Sequence, residues 1–143
     1  MLSFRRAVMG DAKSLYEWRN DKETQRNSHS SRSFDFESHC RWLQKSLGSE
    51  DREIFIAIVD GAEIGMVRRD RLPGAPESAD WLLSWIISPA VRGRGYGSVM
   101  LVQFVTQYPA RYTAEVKSDN TASIRIAEKA GLRPSFMVLK NYE

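Results

Sequence analysis

The sequence predicts a single α/β domain, residues 1–143, with a mixed β-sheet and about four helices. Strand-like apolar runs alternate along the chain with segments whose apolar residues recur at helical spacing. The dipeptide Asp60-Gly61 lies between two strand-like runs and is a two-residue hairpin signal. Finally, 143 residues, 42% of them hydrophobic and 27% charged, suffice to enclose one core and are too few for a second domain.

The first half of the chain predicts the order strand, helix, polar segment, helix. Residues 3–8 predict a short strand, and Asp11 is the expected N-cap of the helix that follows. Residues 22–33 are polar and aperiodic, which predicts a loop or an irregular helical segment. Residues 35–47 predict a second helix that Gly48 ends. The core-facing stripe of that helix comprises Phe36, His39, Cys40, Leu43 and Leu47.

The second half begins with the predicted hairpin, whose strands are residues 54–59 and 63–70. Residues 71–78 contain prolines, which exclude regular strand pairing, and therefore predict a loop. Residues 80–88 predict the central strand of the sheet, with side chains alternating between its two faces. The remaining predicted elements are a helix at residues 96–108, a strand at 110–117, a helix from Asn120 to Gly131, and a last strand at 134–140.

A turn with glycines at alternate positions, Gly93, Gly95 and Gly97, joins the central strand to the next helix. Glycines let a backbone approach a ligand and point successive N–H groups into one concavity, and the helix N-terminus adds positive potential. Arg92 and Arg94 supply cationic forks for phosphate oxygens. The turn therefore predicts a pyrophosphate site. The simpler alternative is an ordinary strand-to-helix connection with solvent-exposed arginines.

This turn resembles the Arg/Gln-x-x-Gly-x-Gly/Ala signature of the GNAT superfamily of acyl-CoA-dependent N-acetyltransferases, with Arg92, Gly95 and Gly97 at the defined positions. It matches neither the dinucleotide-binding glycine pattern nor the phosphate loop that ends in Gly-Lys-Ser/Thr. Residues 120–123, followed by 128–132, are similar to the Asn-x-x-Ser and Glu-Lys-x-Gly-Phe segment of the same family. Together the two stretches cover the C-terminal half of the chain.

The resemblance implies a GNAT fold, with the sheet splayed at the cofactor strand and acetyl-CoA as cofactor. GNAT members usually continue into one further strand, for which this chain has no residues. Either the sheet is one strand short or a partner, such as a second copy in a homodimer, completes its edge. The residues that the resemblance assigns to the cofactor are Ile86, Ile87, Ser88, Arg92, Gly93, Arg94, Gly95, Tyr96, Gly97, Ser98, Asn120 and Lys129.

The implied reaction is transfer of the acetyl group to a primary amine by direct attack in a ternary complex. It needs positioning, deprotonation of the amine, and a backbone N–H of residues 86–88 to stabilise the oxyanion. Cys40 lies far from the motif and nothing pairs it with a base, so a covalent intermediate is not expected.

Proton transfer is less well defined, because Ala127 stands where many family members carry a tyrosine that protonates the departing thiolate. Taken singly, each polar candidate is more simply explained as a structural residue. The candidates for the acid are Ser123, Tyr112 and water, and those for the base are Asp80, Ser84 acting through a water, and Glu115.

The N-terminal half carries Trp18-Arg19-Asn20 and later His39-x-x-Trp42. This pattern resembles GNAT members that acetylate amino sugars on nucleotide carriers and, less closely, members that acetylate the N-termini of ribosomal proteins. It implies a small polar amine as acceptor, with a nucleotide-linked amino sugar as first choice. The alternative is that both tryptophans pack in the core or at its rim and His39 is a structural hydrogen-bonding residue. The implied acceptor-binding residues are Trp18, Arg19, Asn20, His39, Trp42 and Arg68, with Arg26 and Arg69 as further candidates for a diphosphate.

Composition limits the other classes of function. The net charge is +3 and the pI is near 9.2, but no contiguous basic run or nucleic-acid motif accompanies them, so we expect no nucleic-acid partner. No apolar run has the length of a membrane helix and the N-terminus lacks a signal-peptide core, so we expect a cytoplasmic protein. One cysteine and two histidines predict neither a disulfide nor a metal site. An inactive acyl-CoA-binding domain remains the alternative to an enzyme.

Overall fold

The computed structural model describes residues 1–28, 35–74, 80–135 and 139. One open sheet carries helices on both faces. The strands are β1 Leu2–Arg6, β2 Arg52–Val59, β3 Ala62–Arg71, β4 Asp80–Ile87 and β5 Arg111–Thr113. The helices are α1 Ala12–Arg19, α2 Lys22–Asn27, α3 Phe36–Leu47, α4 Tyr96–Gln107 and α5 Thr121–Lys129, with short 3-10 turns at Met9–Asp11 and Pro89–Val91.

The strand order follows the chain, β1-β2-β3-β4-β5. The first four strands pair antiparallel, and β4 pairs with β5 in parallel, so the predicted mixed sheet is confirmed. The hairpin between β2 and β3 turns at Asp60-Gly61 as predicted, with positive φ at both residues. One irregularity in the β2–β3 register, between Ala57 and Ile58, marks a β-bulge.

The pairing between β4 and β5 is short. It joins Asp80, Trp81 and Leu82 to the three residues of β5 and then stops. In the part of the chain that the structure describes, no strand pairs with residues 83–87 on that side of β4. This opening between β4 and β5 is the predicted splay, and the glycine turn follows β4 directly.

The sheet separates two hydrophobic cores. On one face Phe104 and Leu101 of α4 pack on Phe55, Val67 and Leu83. Alternate residues point to the other face, where α1 and α3 cover the sheet. The core on that second face consists of Ala7, Ala12, Leu15, Trp18, Leu43, Ile54, Ile56 and Met66.

Several predicted elements differ in extent. Helix α2 forms within the segment predicted as a loop or irregular helix, so the described residues contain five α-helices where about four were predicted. Only Arg111–Thr113 of the strand predicted at 110–117 is a strand. Of the last strand predicted at 134–140, residues 134, 135 and 139 are described and are not in a strand, and the others lie outside the described residues. None of the described helices is long and apolar enough to cross a membrane.

Asp11 joins β1 to α1. It was predicted to cap α1, but its carboxylate instead accepts the Val8 N–H at 2.8 Å and two hydrogen bonds from Arg5 at 2.7 and 2.8 Å. The hydrogen bond with Arg5 lowers the pKa of the buried Asp11 carboxyl, outweighing the effect of its burial. The carboxylate is therefore stabilised in its charged form by folding.

We expect Asp11→Asn to lower the free energy of unfolding by about 2 kcal/mol at neutral pH, because a charge-assisted pair is lost while the Val8 contact is retained. The folded pKa of Asp11 lies below its ordinary 3.8, so this contribution is complete above that pH and disappears as the pH falls through the folded value. Denaturant unfolding at several pH values measures it. Asp60→Asn, at an exposed ion pair, is the control. An equal deficit at pH 7 and in strong acid would contradict the assignment.

Candidate active site

Two glycines shape the turn between β4 and α4. Gly93 and Gly95 have φ of 77° and 79°, a left-handed conformation that other residues rarely adopt. A Cβ at either position would meet nothing within 4 Å, so the space beside the backbone is open. Helix α4 starts directly after Gly95, and the N–H groups of its first turn have no acceptor within the helix. The turn can therefore offer backbone donors to an anion, and the pyrophosphate site that the sequence predicts there stays a prediction.

Gly97 has a different role. A Cβ there would lie 2.6 Å from Cδ1 of Ile126 and 3.5 Å from Cγ1 of Ile87. The absent side chain therefore lets α4 pack against α5, and only the backbone of Gly97 can face a ligand. Tyr96 is half-buried against the α4 core, and Ser98 is half-buried beside it.

The two arginines of the turn differ in their contacts. Arg92 forms ion pairs with Asp21 and Glu23 of the α2 region, both at 2.8 Å, and donates to Oγ1 of Thr24 at 2.9 Å. Its predicted contact with phosphate would require it to exchange these partners. Arg94 is exposed, and no described residue pairs with its guanidinium. Arg94 is thus the arginine of the turn that an incoming anion can reach directly.

Helix α2 bridges the opening in the sheet. Arg92, which follows β4, holds its first turn. Lys117, which follows β5, donates through Nζ to the carbonyl of Arg26 in its last turn at 2.7 Å. Because β4 and β5 are the strands that diverge, a helix attached to the segments after both of them forms a wall beside the opening. Neither attachment was predicted.

The backbone of β4 supplies donors to the opening. The Ser88 N–H donates to the Ile64 carbonyl at 2.8 Å, which fixes the alternation of the antiparallel ladder with β3. The backbone N–H and C=O groups of Ile86 and Ser84 therefore also point to β3. The backbone groups of residues 83, 85 and 87 point the other way, to the opening. Of the predicted oxyanion donors at 86–88, Ile87 is the one whose N–H is directed there.

The structure separates the acid and base candidates. Ser84 is half-buried on the α1/α3 face, opposite Arg68 of β3. Asp80 is ion-paired with Arg111 at 2.7 Å, at the end of β4 where the strands still pair. Glu115 is exposed after β5. Of the three, Ser84 lies in the stretch of β4 that borders the opening.

Tyr112 is unsuited to protonate a thiolate in the opening. Its hydroxyl donates to the Tyr108 carbonyl at 2.5 Å and accepts from Arg69 at 3.1 Å. Burial raises the pKa of this phenol despite the nearby guanidinium. Ser123 stays a candidate: its side chain is half-buried near the start of α5.

Asn120 is the N-cap of α5, because its Oδ1 accepts the Ser123 N–H at 3.2 Å. This is the structural role that any N-cap residue performs, and a contact with the cofactor remains a prediction. Lys129, at the other end of α5, is exposed, and Ala127 is buried in the same helix. At the position where many family members carry the tyrosine, this chain therefore has a small buried residue, Ala127.

A group of three arginines surrounds Trp42 on the α1/α3 face. The guanidinium carbons of Arg19, Arg52 and Arg68 lie 4.7, 5.7 and 5.7 Å from the centre of the indole. Asp70 pairs with Arg52 at 2.7 Å and with Arg68 at 3.3 Å. We call these five residues the Trp42 cluster. The sequence predicted Arg19, Trp42 and Arg68 as acceptor residues but missed Arg52 and Asp70.

Other predicted acceptor residues lie elsewhere. Trp18 and His39 are only 7% and 2% exposed, so both are buried. The alternative that His39 is a structural hydrogen-bonding residue is not supported, because neither of its ring nitrogens has a hydrogen-bond partner among the described residues. The ring of His39 contacts that of Trp42, and burial lowers the pKa of the imidazole. Arg69 points to the opposite face of the sheet, where it pairs with Glu53 at 2.7 Å. Asn20 accepts from Gln25 at 3.0 Å and joins α1 to α2.

The family model described as Acetyltransferase (GNAT) domain matches residues 2–133 of the chain. No curated protein sequence matches significantly. Among solved structures, aminoglycoside acetyltransferase AAC(6')-Ib in complex with coenzyme A is similar with a TM-score of 0.79 at 19% identity, covering 96% of this chain and 87% of that one. Spermidine N-acetyltransferase from Vibrio cholerae in complex with CoA and spermine has a TM-score of 0.84 at 14% identity, covering 99% and 86%.

The ribosomal L7/L12 alpha-N-protein acetyltransferase RimL, in complex with coenzyme A, is similar with a TM-score of 0.76 at 14% identity, covering 91% of this chain and 78% of that one. At such identities these likenesses concern the fold. The three enzymes are named for different acceptors, an aminoglycoside, a polyamine and a protein N-terminus, so the shared fold leaves the acceptor to be argued from the residues of this chain.

We expect Gly95→Ala to weaken binding of coenzyme A at least tenfold, because the left-handed backbone that presents the N–H donors becomes strained and a Cβ enters the ligand space. Gly61→Ala is a matched control: Gly61 has φ of 81° and equally open surroundings, but lies in the hairpin turn. Both variants should lose about 1–2 kcal/mol of stability. Calorimetry that finds the same affinity in both variants would remove the turn from the cofactor site.

Arg94→Gln should weaken coenzyme A binding roughly tenfold, because a charge-assisted hydrogen bond to phosphate is lost. Arg92→Gln should instead change affinity less than threefold and lower stability by about 1 kcal/mol, since its ion pairs are partly exposed. Binding calorimetry and thermal unfolding of both variants test this contrast. An affinity loss in Arg92→Gln as large as in Arg94→Gln would assign Arg92 to the phosphates.

Proposed function

The chain belongs to the GNAT acetyltransferase family, and from that membership we propose that it acetylates the primary amine of a small polar acceptor, first of all a nucleotide-linked amino sugar. The family identifies the enzyme as an acetyl-CoA-dependent N-acetyltransferase. The acceptor is our inference from the residues around the opening.

The unpaired edge of β4 is the observation that carries the proposal. Peptide groups at residues 83, 85 and 87 face the opening, and an extended ligand with amide groups can pair with them as an added strand would. Acetyl-CoA has such an arm and supplies the activated thioester. With its phosphates at the glycine turn, the thioester end would lie along β4, where a backbone N–H can stabilise the developing oxyanion.

Direct transfer suits the groups present. The amine nitrogen forms the new C–N bond, the C–S bond breaks, and the amine gives up a proton while the thiolate gains one. In this proposal Ser84 holds a water that accepts the amine proton. The positive charge of the nearby Arg68 lowers the pKa of an ammonium group beside it, which favours the neutral, reactive amine.

A covalent acetyl-enzyme has no support among the described residues. Cys40, the single cysteine, is half-buried in α3 and packs against the core beneath that helix. Among the described residues, no hydrogen bond joins this thiol to a base, which a nucleophilic cysteine needs. Both substrates therefore bind together, and the kinetics should be those of a ternary complex.

The nucleotide-linked amino sugar is favoured by the chemistry of the Trp42 cluster. Guanidinium groups suit phosphate oxygens, and an indole face can pack on a sugar or a base. Trp42 is half-buried, so part of its ring remains accessible. A peptide N-terminus would need a groove for an extended chain.

The test is thiol release from acetyl-CoA with a panel of amines: UDP-linked amino sugars, short peptides with free N-termini, and spermidine. We expect turnover of the UDP-linked amino sugars, with initial-rate patterns that intersect as in a ternary-complex mechanism. Turnover of peptides alone would overturn the sugar proposal and leave the transferase assignment in place. Binding of acetyl-CoA without turnover of any amine would point to an acyl-CoA-binding domain.

A further inference from the structure

Helix α2 borders the opening but has no packed face of its own. Its six residues, Lys22–Asn27, include no apolar side chain, and none of them is buried. A helix that is polar on all sides gains little from burial and needs other contacts to hold it in place. The position of α2 at the opening therefore depends on the groups attached to its two ends.

Arg92 holds the first turn of α2 through three residues. Its guanidinium pairs with Asp21 and Glu23, each at 2.8 Å, and donates to Oγ1 of Thr24 at 2.9 Å. Burial raises the pKa of Asp21, but the hydrogen bonds from Arg92 and from the Thr24 N–H outweigh this effect, and the pKa lies below its ordinary value. The carboxylate is therefore charged at neutral pH. A planar guanidinium can bridge several oxygens at fixed angles, which an ammonium group does less well.

Lys117 attaches the other end of α2 beside the middle of the opening. Its Nζ donates to the Arg26 carbonyl at 2.7 Å. Leu82 and Thr113 are the last paired residues of β4 and β5. Four residues beyond them, along the two chain segments, lie Ile86 and Lys117. The last turn of α2 is therefore attached near the level of Ile86, across the opening from the edge of β4.

Asn27, the last residue of α2, has an unused carboxamide. Residues three and four apart share one face of a helix, so Asn27 lies on the face that carries Glu23 and Thr24. Those two residues contact Arg92. The Asn27 side chain is half-buried, and no hydrogen bond joins its carboxamide to another described residue. Its donor and its acceptor are therefore available to a molecule in the opening.

Accordingly, we propose that Arg92 is a positioning residue of the acceptor side: it fixes α2 against the opening and so places Asn27 where its carboxamide contacts the acceptor next to the reacting amine. A carboxamide both donates and accepts hydrogen bonds, which suits a hydroxyl or an amide group beside that amine. The ammonium groups of a polyamine only donate, so they use half of it. This inference rests on the proposed transferase function and adds a chemical feature of its acceptor.

Cysteine labelling tests the placement of Asn27 without turnover of any amine. Chloroacetyl-CoA carries an electrophilic carbon where acetyl-CoA has its methyl group. A thiolate that reaches this carbon forms a C–S bond and expels chloride, and the thiol proton passes to the solvent. The thiol is introduced by Asn27→Cys in a chain that also carries Cys40→Ser, which removes the single native cysteine. Mass spectrometry follows the labelling, and the rate with iodoacetamide corrects for the ordinary exposure of the thiol.

Lys22→Cys in the same background is the matched control, because Lys22 is exposed on the same helix and is turned about 140° away from Asn27. We expect the corrected rate in the Asn27→Cys chain to exceed that of the control at least tenfold. Adding Arg92→Gln should lower it at least fivefold, since the first turn of α2 is released. Equal rates at the two positions would overturn the placement of Asn27. A rate that Arg92→Gln leaves unchanged would overturn the positioning role.

Steady-state kinetics with UDP-glucosamine as the probe test the contact with the acceptor. Arg92→Gln and Asn27→Leu should each raise the KM of the amine at least tenfold and change the KM of acetyl-CoA less than threefold. Arg92→Lys should recover only part of the loss. Arg41→Gln, which removes an exposed pair with Glu37, is the control and should leave both constants unchanged. A larger effect on the KM of acetyl-CoA than on that of the amine would contradict the inference.

The two measurements keep this inference apart from the choice of acceptor. Selective labelling of the Asn27→Cys chain, with no turnover of any amine in the panel, would remove the proposed acceptor and leave the placement of α2 in force. Turnover of UDP-glucosamine with equal labelling at the two positions would do the opposite.

Discussion

The early end of the β4–β5 pairing is the constraint on which the rest of the structure depends. A parallel pair that continued to the end of β4 would consume the outward-facing backbone groups of residues 83, 85 and 87. Because it stops at Leu82, β4 keeps an unpaired edge beside β5, in a sheet that is covered on both faces by helices. The glycine turn follows one end of that edge, and Arg68 of the Trp42 cluster stands opposite Ser84 near its other end.

Neighbouring residues of β3 have different partners because their side chains lie on opposite faces of the sheet. Arg68 faces the α1/α3 side and belongs to the Trp42 cluster, while Arg69 faces the α4 side and is committed to Glu53 and Tyr112. The bulge in the β2–β3 register shifts every later pair by one residue. Without it Arg52 would stand opposite Arg69, and Asp70 would not be available to hold Arg52 and Arg68 together.

The sequence predicted the features that depend on local pattern. The hairpin at Asp60-Gly61, the central strand and the glycine turn follow from alternation and turn chemistry, and the cofactor follows from the family motif. Local patterns could not predict contacts between residues that are distant in the chain. Helix α2 has no apolar stripe and is held by Arg92 and Lys117, distant in the chain. Helical spacing predicted which face of its helix carries Trp18 or His39, but not how deeply each side chain is buried. The Arg52–Asp70 pair could not be predicted because it depends on the bulge in the β2–β3 register.

Two structures border the opening, helix α2 and the edge of β4, and they should differ in their dependence on salt concentration. Six residues are too few to form a stable helix alone, so this wall persists through contacts made largely by charged side chains at its two ends. Such contacts weaken as the Debye length shrinks from about 10 Å at 0.1 M to about 3 Å at 1 M salt. The edge of β4 is made of peptide groups and carries no such dependence. The order of the wall formed by α2 is therefore coupled to the ionic composition of its medium, independently of the backbone edge of β4.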